Sequence, residues 1–173
     1  MGDFLKGPLP DDVDTQLRRH LHLHRKIDTF AHENKHFKAS CKRLNSHYRY
    51  GRGILIDVFY DHFLACHWLD YSTVSLANFS HVVYAGLNDN QSVLPAGLQN
   101  LLPRMERDNW LVSYADEPVV GTVLSSLERR LKHRLPLALG FEDLQEKREL
   151  LEADFRAFMH EATSFVSDWK AEN

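Results

Sequence analysis

Ile54-Leu-Ile-Asp-Val-Phe-Tyr-Asp-His-Phe-Leu-Ala-Cys-His-Trp68 is apolar nearly all round a helix, with Asp57, Asp61 and His62 as its polar exceptions. At 3.6 residues per turn Asp57 and Asp61 stand one turn apart on one face, and His62 is the next residue round. A helix that is apolar on every side is expected in a core. Two carboxylates there repel each other and resist leaving water, so the fold must supply a cation or protonate one of them. A divalent metal answers both at once. The alternative is a buried network in which each carboxylate pairs with an arginine and His62 bonds a carbonyl.

Upstream, Arg18-Arg-His-Leu-His-Leu-His-Arg-Lys-Ile-Asp28 raises the same question, because His20, His24 and Asp28 fall at successive i, i+4 steps while His22 faces elsewhere. Imidazole and carboxylate together suit Mn²⁺, Fe²⁺ or Zn²⁺ better than Ca²⁺, which prefers all-oxygen shells. Packed together, the two helices would form a mixed His/Asp metal site. For His24 and Asp28 alone, an ordinary solvated i, i+4 pair is the alternative.

Working outward, acids after Pro10 and the apolar positions Val13, Leu17, Ile27 and Ala31 predict a first helix from Pro10 to His32, with His24 near its core side. A basic helix follows from Lys35 to Asn45, and the glycines of Arg49-Tyr-Gly-Arg-Gly53 should break the pattern. Leu76, Phe79, Val83 and Leu87 predict a buried stripe on a helix from Ser75 to Gln91, after which Pro95 and Pro103 punctuate shorter turns. Asn109–Tyr114 reads as one helical turn, and Pro118 at N1 opens a helix to Leu135 with Val119, Val123, Leu127 and Leu131 spaced by four. Residues 141–170 read as a long helix burying Leu144, Leu151, Phe155, Phe158, Phe165 and Trp169. No segment alternates with period two. The expectation is an all-α, compact helical bundle occupying residues 1–173 as a single domain.

Charge is unevenly spread: residues 18–52 carry a net +8, whereas residues 141–173 hold nine acids against four bases. The basic segment suits an acidic partner, although it lacks the interleaved aromatics of a single-strand nucleic-acid platform. Cys41 and Cys66, without C-x-x-C spacing, signal neither a zinc ribbon nor a disulfide framework and are read as free thiols in a reducing compartment. Residues 1–8 lack the apolar run of a signal peptide, and no stretch reaches a membrane-spanning length, so a cytoplasmic protein is expected.

Three ordered motifs carry a family resemblance. Gly2-Asp-Phe-Leu-Lys-Gly7, His24-Arg-Lys-Ile-Asp28 and Asp57-Val-Phe-Tyr-Asp-His-Phe-Leu64 resemble the GDFxKG, HRxID and DVxxDHFL motifs of the acyl carrier protein phosphodiesterases, divergent relatives of the HD-domain phosphohydrolases. The likeness continues through Trp68 and into Asp108-Asn-Trp-Leu-Val-Ser-Tyr114. It implies an all-helical, HD-domain-like hydrolase that releases 4′-phosphopantetheine from holo acyl carrier protein with Mn²⁺, or else Mg²⁺ or Fe²⁺. It also implies Asp3, His24, Asp28, Asp61 and His62 as metal ligands, with Asp57 and Arg25 catalytic and Arg25 neutralising phosphate charge. An acidic carrier would dock on the basic segment, with Lys38, Lys42 and Arg43 its foremost contacts.

The chain departs from the family pattern at three places. It opens at Gly2-Asp3 without the family's preceding N-x-L-A-H-type segment, so the expectation is either that the native start lies upstream of Met1 or that the chain is a shortened one. Ala31-His32 replaces the usual T-D, and Asp61-His62 reverses the HD dyad. Two rival functions follow: an HD-like phosphohydrolase of nucleotides or small phosphodiesters, and a non-catalytic paralogue that grips an acidic partner.

Overall fold

Asn34 joins the first two helices and shows how local chemistry lays out the chain. In the computed structural model, which describes residues 15–172, α1 (Thr15–Glu33) and α2 (Lys35–Arg43) meet at this residue. Its backbone N–H closes α1 on the Phe30 carbonyl at 2.9 Å. Its side-chain oxygen accepts from the His36 and Phe37 amides at 2.8 and 3.3 Å, capping α2. Its amide nitrogen donates to Glu161 at 2.8 Å, pinning the corner to the last helix.

Eight α-helices and no strand occur among the described residues, as the all-α reading expects. α3 (Gly51–Cys66) is the central rod, and Leu55, Ile56, Phe59 and Phe63 are fully buried. The glycines expected to precede this helix lie inside its first turn. Gly51 is there because a Cβ would come within 3.1 Å of Leu137 and 3.2 Å of Leu135. α7 (Glu117–Arg130) supplies Val120 and Leu124. α8 (Gly140–Glu172), about 50 Å long at 1.5 Å per residue, supplies Leu144, Leu151 and Phe155. Gly140 opens α8 without a side chain because a Cβ there would collide with Leu55. Toward the far end of α8, Phe30 stacks on Phe165 with ring centroids 4.7 Å apart, and Arg19 lies over Trp169.

A second, smaller core lies among α4 (Leu76–Asp89), α5 (Ala96–Arg107) and α6 (Trp110–Ser113), built on Tyr84, Leu94, Leu98 and Leu102. Here two expectations are corrected. α5 runs straight through Pro103, which stands on the exposed side while Leu98 and Leu102 face inward. Burial of that face outweighs the roughly 3 kcal/mol that an interior proline costs. α4 departs from the predicted stripe at one position: Leu76, Val83 and Leu87 are half-buried, but Phe79 is 40% exposed, and Ser80 and Tyr84 are the residues buried fully. Ser80 donates to Asn109 at 2.7 Å, and the Tyr84 hydroxyl accepts the Leu111 amide at 3.1 Å. These two bonds anchor the polar members of the inward face that Leu76, Val83 and Leu87 share. Among the described residues, no helix is long and apolar enough to cross a membrane.

Candidate active site

The i, i+4 spacing on α1 brings two expected ligands together: His24 Nδ1 lies 3.1 Å from Asp28 Oδ2. The pair sits at the surface, with side chains 38% and 55% exposed, and Arg25 beside it is exposed too. An imidazole and a carboxylate in contact at the surface can jointly orient a cation or a phosphate-bearing group.

On α3 the sequence reading needs correction. Asp57 and Asp61 are exposed, not buried. The helix is apolar enough to be central, yet it still presents one narrow edge to water, and both carboxylates fall on it. Burial chiefly, with Asp57 next, pushes the α2 thiol of Cys41 up to about 11. Burial, with Asp61 adding, pushes the Tyr114 hydroxyl up to about 12. Asp57 therefore acts on α2, and Asp61 on the chain just after α6.

Of the three polar residues Asp57, Asp61 and His62, only His62 is buried, 1% exposed. Its Nδ1 lies 2.7 Å from the Tyr114 carbonyl and donates to it, which leaves the lone pair on Nε2. Burial is the main cause of its lowered pKa and keeps the ring neutral. One turn on, Cys66 Sγ approaches the same ring at 3.7 Å. The arrangement is the carbonyl-bonded histidine of the structural alternative.

Among the described residues, no three His, Cys, Asp or Glu side chains stand close enough together to hold a metal ion. The interior convergence of α1 and α3 ligands is thus not what the structure shows. His24–Asp28 is a surface dyad, and His62 is engaged elsewhere. Asp3 lies outside the described residues.

Of the three expected docking cations, Lys38 and Lys42 are exposed on α2. Arg43 is committed: its Nε and Nη2 donate to Asp154 at 2.7 and 3.2 Å. Asp154 also accepts from Ser40 at 3.1 Å, and Ser40 shares a 2.9 Å bond with Tyr60. Sequence reasoning missed this network, although a signal existed: Asp154 falls on the apolar side of α8 between Leu151 and Phe155.

A second missed cluster lies where α3 ends. His67 Nε2 meets Glu152 at 2.7 Å, and Arg156 reaches His67 Nδ1 at 3.0 Å and Asp70 at 3.1 Å. It borders a groove of about 310 Å³ lined by residues that include Cys66, Trp68, Leu69 and Ser75. No local spacing announces this cluster as a whole, because its members come from the turn after α3 and from α8.

Comparison with known proteins agrees with the motifs. The family model for acyl carrier protein phosphodiesterase matches residues 1–162. A relative from Serratia proteamaculans bearing that name is 26% identical over 159 residues, covering 91% of this chain and 82% of its own. One from Photorhabdus laumondii is 26% identical over 174 residues, covering 100% and 85%. One from Escherichia coli O139:H28 is 27% identical over 162 residues, covering 91% and 82%. No solved structure matches the chain.

Proposed function

We propose that this chain, which belongs to the acyl carrier protein phosphodiesterase family, hydrolyses the phosphodiester that joins 4′-phosphopantetheine to the carrier's serine. Apo carrier protein and free 4′-phosphopantetheine are the products. The observation that carries the reading is the contact between His24 and Asp28, the two ends of the HRxID motif, at 3.1 Å on an open surface of α1.

That dyad fits part of a divalent metal's coordination sphere. Ions of the Mg²⁺ and Mn²⁺ kind are commonly held by one or two protein carboxylates, with waters and substrate phosphate oxygens completing the shell. His24 and Asp28 would hold such an ion, with Asp3 of the GDFxKG motif and the exposed Asp61 as further candidate ligands. The ion would supply charge neutralisation and a water of lowered pKa. The other roles fall to the chain itself. Asp28 orients the His24 ring, Arg25 sits beside the dyad to attract the phosphodiester's negative charge, and the exposed Asp57 and Asp61 are candidates to receive or deliver a proton. Lys38 and Lys42, one turn apart on α2, contribute to a +8 segment that attracts an acidic carrier and speeds encounter at low salt.

Intact-protein mass spectrometry tests this. Purified chain, holo carrier and Mn²⁺ should give loss of the phosphopantetheine arm, and Asp28→Asn should abolish it. Replacing Lys38 and Lys42 by Glu should raise KM and flatten its salt dependence while leaving kcat close to wild type. No loss of the arm, while a known hydrolase works in the same buffer, overturns the reading. Metal analysis then separates its rival: a chain that binds carrier but retains no divalent ion is a non-catalytic binder.

A further inference from the structure

The longest uncharged stretch at the surface lies away from the dyad. Residues 71–88 contain no Asp, Glu, Lys or Arg, in a chain where 26% of residues are charged. Much of this stretch faces water: Val74 is 47% exposed, Phe79 40% and Val82 67%, and Leu69 just before it is 73% exposed. Trp68 packs on Phe79 with ring centroids 4.7 Å apart, which makes the patch continuous from the end of α3 into α4. Ser80 and Tyr84 turn inward. Phe79, Val82 and Gly86, at i, i+3 and i+7, form the opposite stripe, and the bare Cα of Gly86 looks onto open space.

We propose that this face of α4 is the two-fold interface of a homodimer. The stripe has a bulky end at Phe79, an empty end at Gly86 and Val82 near the middle. A second α4 crossing antiparallel about an axis near Val82 seats each Phe79 in the notch above the other copy's Gly86 and brings the two Val82 side chains together. One patch thereby serves as both knob and hole, as an isologous contact requires. The charge pattern is self-compatible as well. An uncharged face meets its own copy without like-charge repulsion, and Asp89 at the C-terminal end of α4 comes beside the N-terminus of the other copy's α4, where a carboxylate is favoured. The acidic boundaries, Asp70 and Asp89, disfavour an anionic lipid surface as the occupant. This inference is independent of the proposed reaction.

Sedimentation velocity on the full chain tests it. The wild type should sediment with twice the 20.1 kDa chain mass. Val82→Arg should give the monomer with an unchanged circular dichroism spectrum. Gly86→Leu, which fills the notch from a position where an added Cβ meets nothing within 4 Å, should weaken association by more than about tenfold. With Cys41 and Cys66 replaced by Ser, Val82→Cys should cross-link on mild oxidation, whereas Val93→Cys, 62% exposed and outside the stripe, should not. A wild type that stays monomeric at every concentration overturns the proposal, as does a dimer that Val82→Arg leaves intact. Flotation with anionic phosphatidylserine vesicles that Val82→Arg abolishes in a monomeric chain would also overturn it.

Discussion

Around Asp154 the bundle of α1–α3, α7 and α8 takes a carboxylate out of water and surrounds it with Arg43 and with Ser40, itself bonded to Tyr60. Around Tyr84 the α4–α6 lobe buries only neutral groups, joined by single hydrogen bonds such as Ser80 to Asn109. The same contrast recurs. Asp143 in the bundle is buried between the Tyr48 hydroxyl, 2.5 Å away, and Lys147, and Arg148 pairs with Glu117 while lying over the Phe63 ring. The bundle thus fixes the relative positions of helices distant in sequence through ionic contacts that fail if one member is lost. The lobe relies on a small apolar core, and its charged side chains Arg104, Arg107 and Asp108 pair with one another at the exposed end of α5 rather than inside it. The two regions should differ in stability and in how each responds to substitution, and His24, Asp28, Asp57 and Asp61 all belong to the ionically tied one.

The largest effect is expected in the bundle core. Phe59 is fully buried, so Phe59→Ala should lower the free energy of unfolding by about 3–5 kcal/mol in urea denaturation, with the whole transition moving as one. A shift below about 1 kcal/mol would mean that this core tolerates cavities as a loosely packed one does. Leu102, equally buried in the lobe, offers the matched experiment. Leu102→Ala should remove about 2–4 kcal/mol of local stability, read as faster amide exchange in residues 76–113 while α3 and α8 keep their protection. Uniform acceleration across all helices would break the distinction between bundle and lobe.

How much of this was legible follows the same division. The α1, α2, α3, α7 and α8 helices were readable because their apolar spacing, caps and charge asymmetry agreed with one another. Pro118 marked a boundary for reasons of backbone chemistry, whereas the Asn34 cap emerged only in the structure. The α5 helix was not readable, because Pro103 is a local stop signal that only tertiary burial of Leu98 and Leu102 overrides. On α4 the half-buried Leu76, Val83 and Leu87 were legible from their spacing, but the burial of Ser80 and Tyr84 was not, because their partners Asn109 and the Leu111 amide lie far along the chain. On α3, composition correctly implied a central helix but not that Asp57 and Asp61 share its one wet edge. The His24–Asp28 contact was legible from spacing alone. The commitment of Arg43 to Asp154, more than a hundred residues away in sequence, was not, since no local pattern records which distant acid will claim which base.

A paired substitution sharpens the electrostatic side of the comparison. Asp154→Ala strands Arg43 and leaves Ser40 only its bond to Tyr60, and should cost about 1–3 kcal/mol, the range for leaving a part-buried polar group unpartnered. Ser80→Ala in the lobe removes one neutral bond and should cost about 0.5–1.5 kcal/mol. Equal losses by thermal unfolding would show that the bundle's charges add no more than ordinary hydrogen bonds do.

The smallest effect concerns two side chains that tie down loops. In the bundle, Glu128 accepts the Ala138 amide at 2.8 Å and meets His133 Nδ1 at 2.9 Å, and these bonds hold its carboxyl below the usual carboxylate range. In the lobe, Gln99 performs the equivalent task without charge, donating to the Leu94 carbonyl at 2.7 Å. A carboxylate with a depressed folded-state pKa is protonated more readily in the unfolded chain. Its stabilisation is therefore present above the ordinary value of 4.5 and is lost as pH falls through the lower folded value. Solvent screening at this surface loop limits the effect to about 0.5–1 kcal/mol. Glu128→Gln should consequently destabilise the chain at pH 7 and converge with wild type in acid, whereas Gln99→Ala should cost the same at both pH values. Parallel pH profiles for the two variants would remove the charge-based distinction at the loops and leave hydrogen-bond geometry alone to account for both.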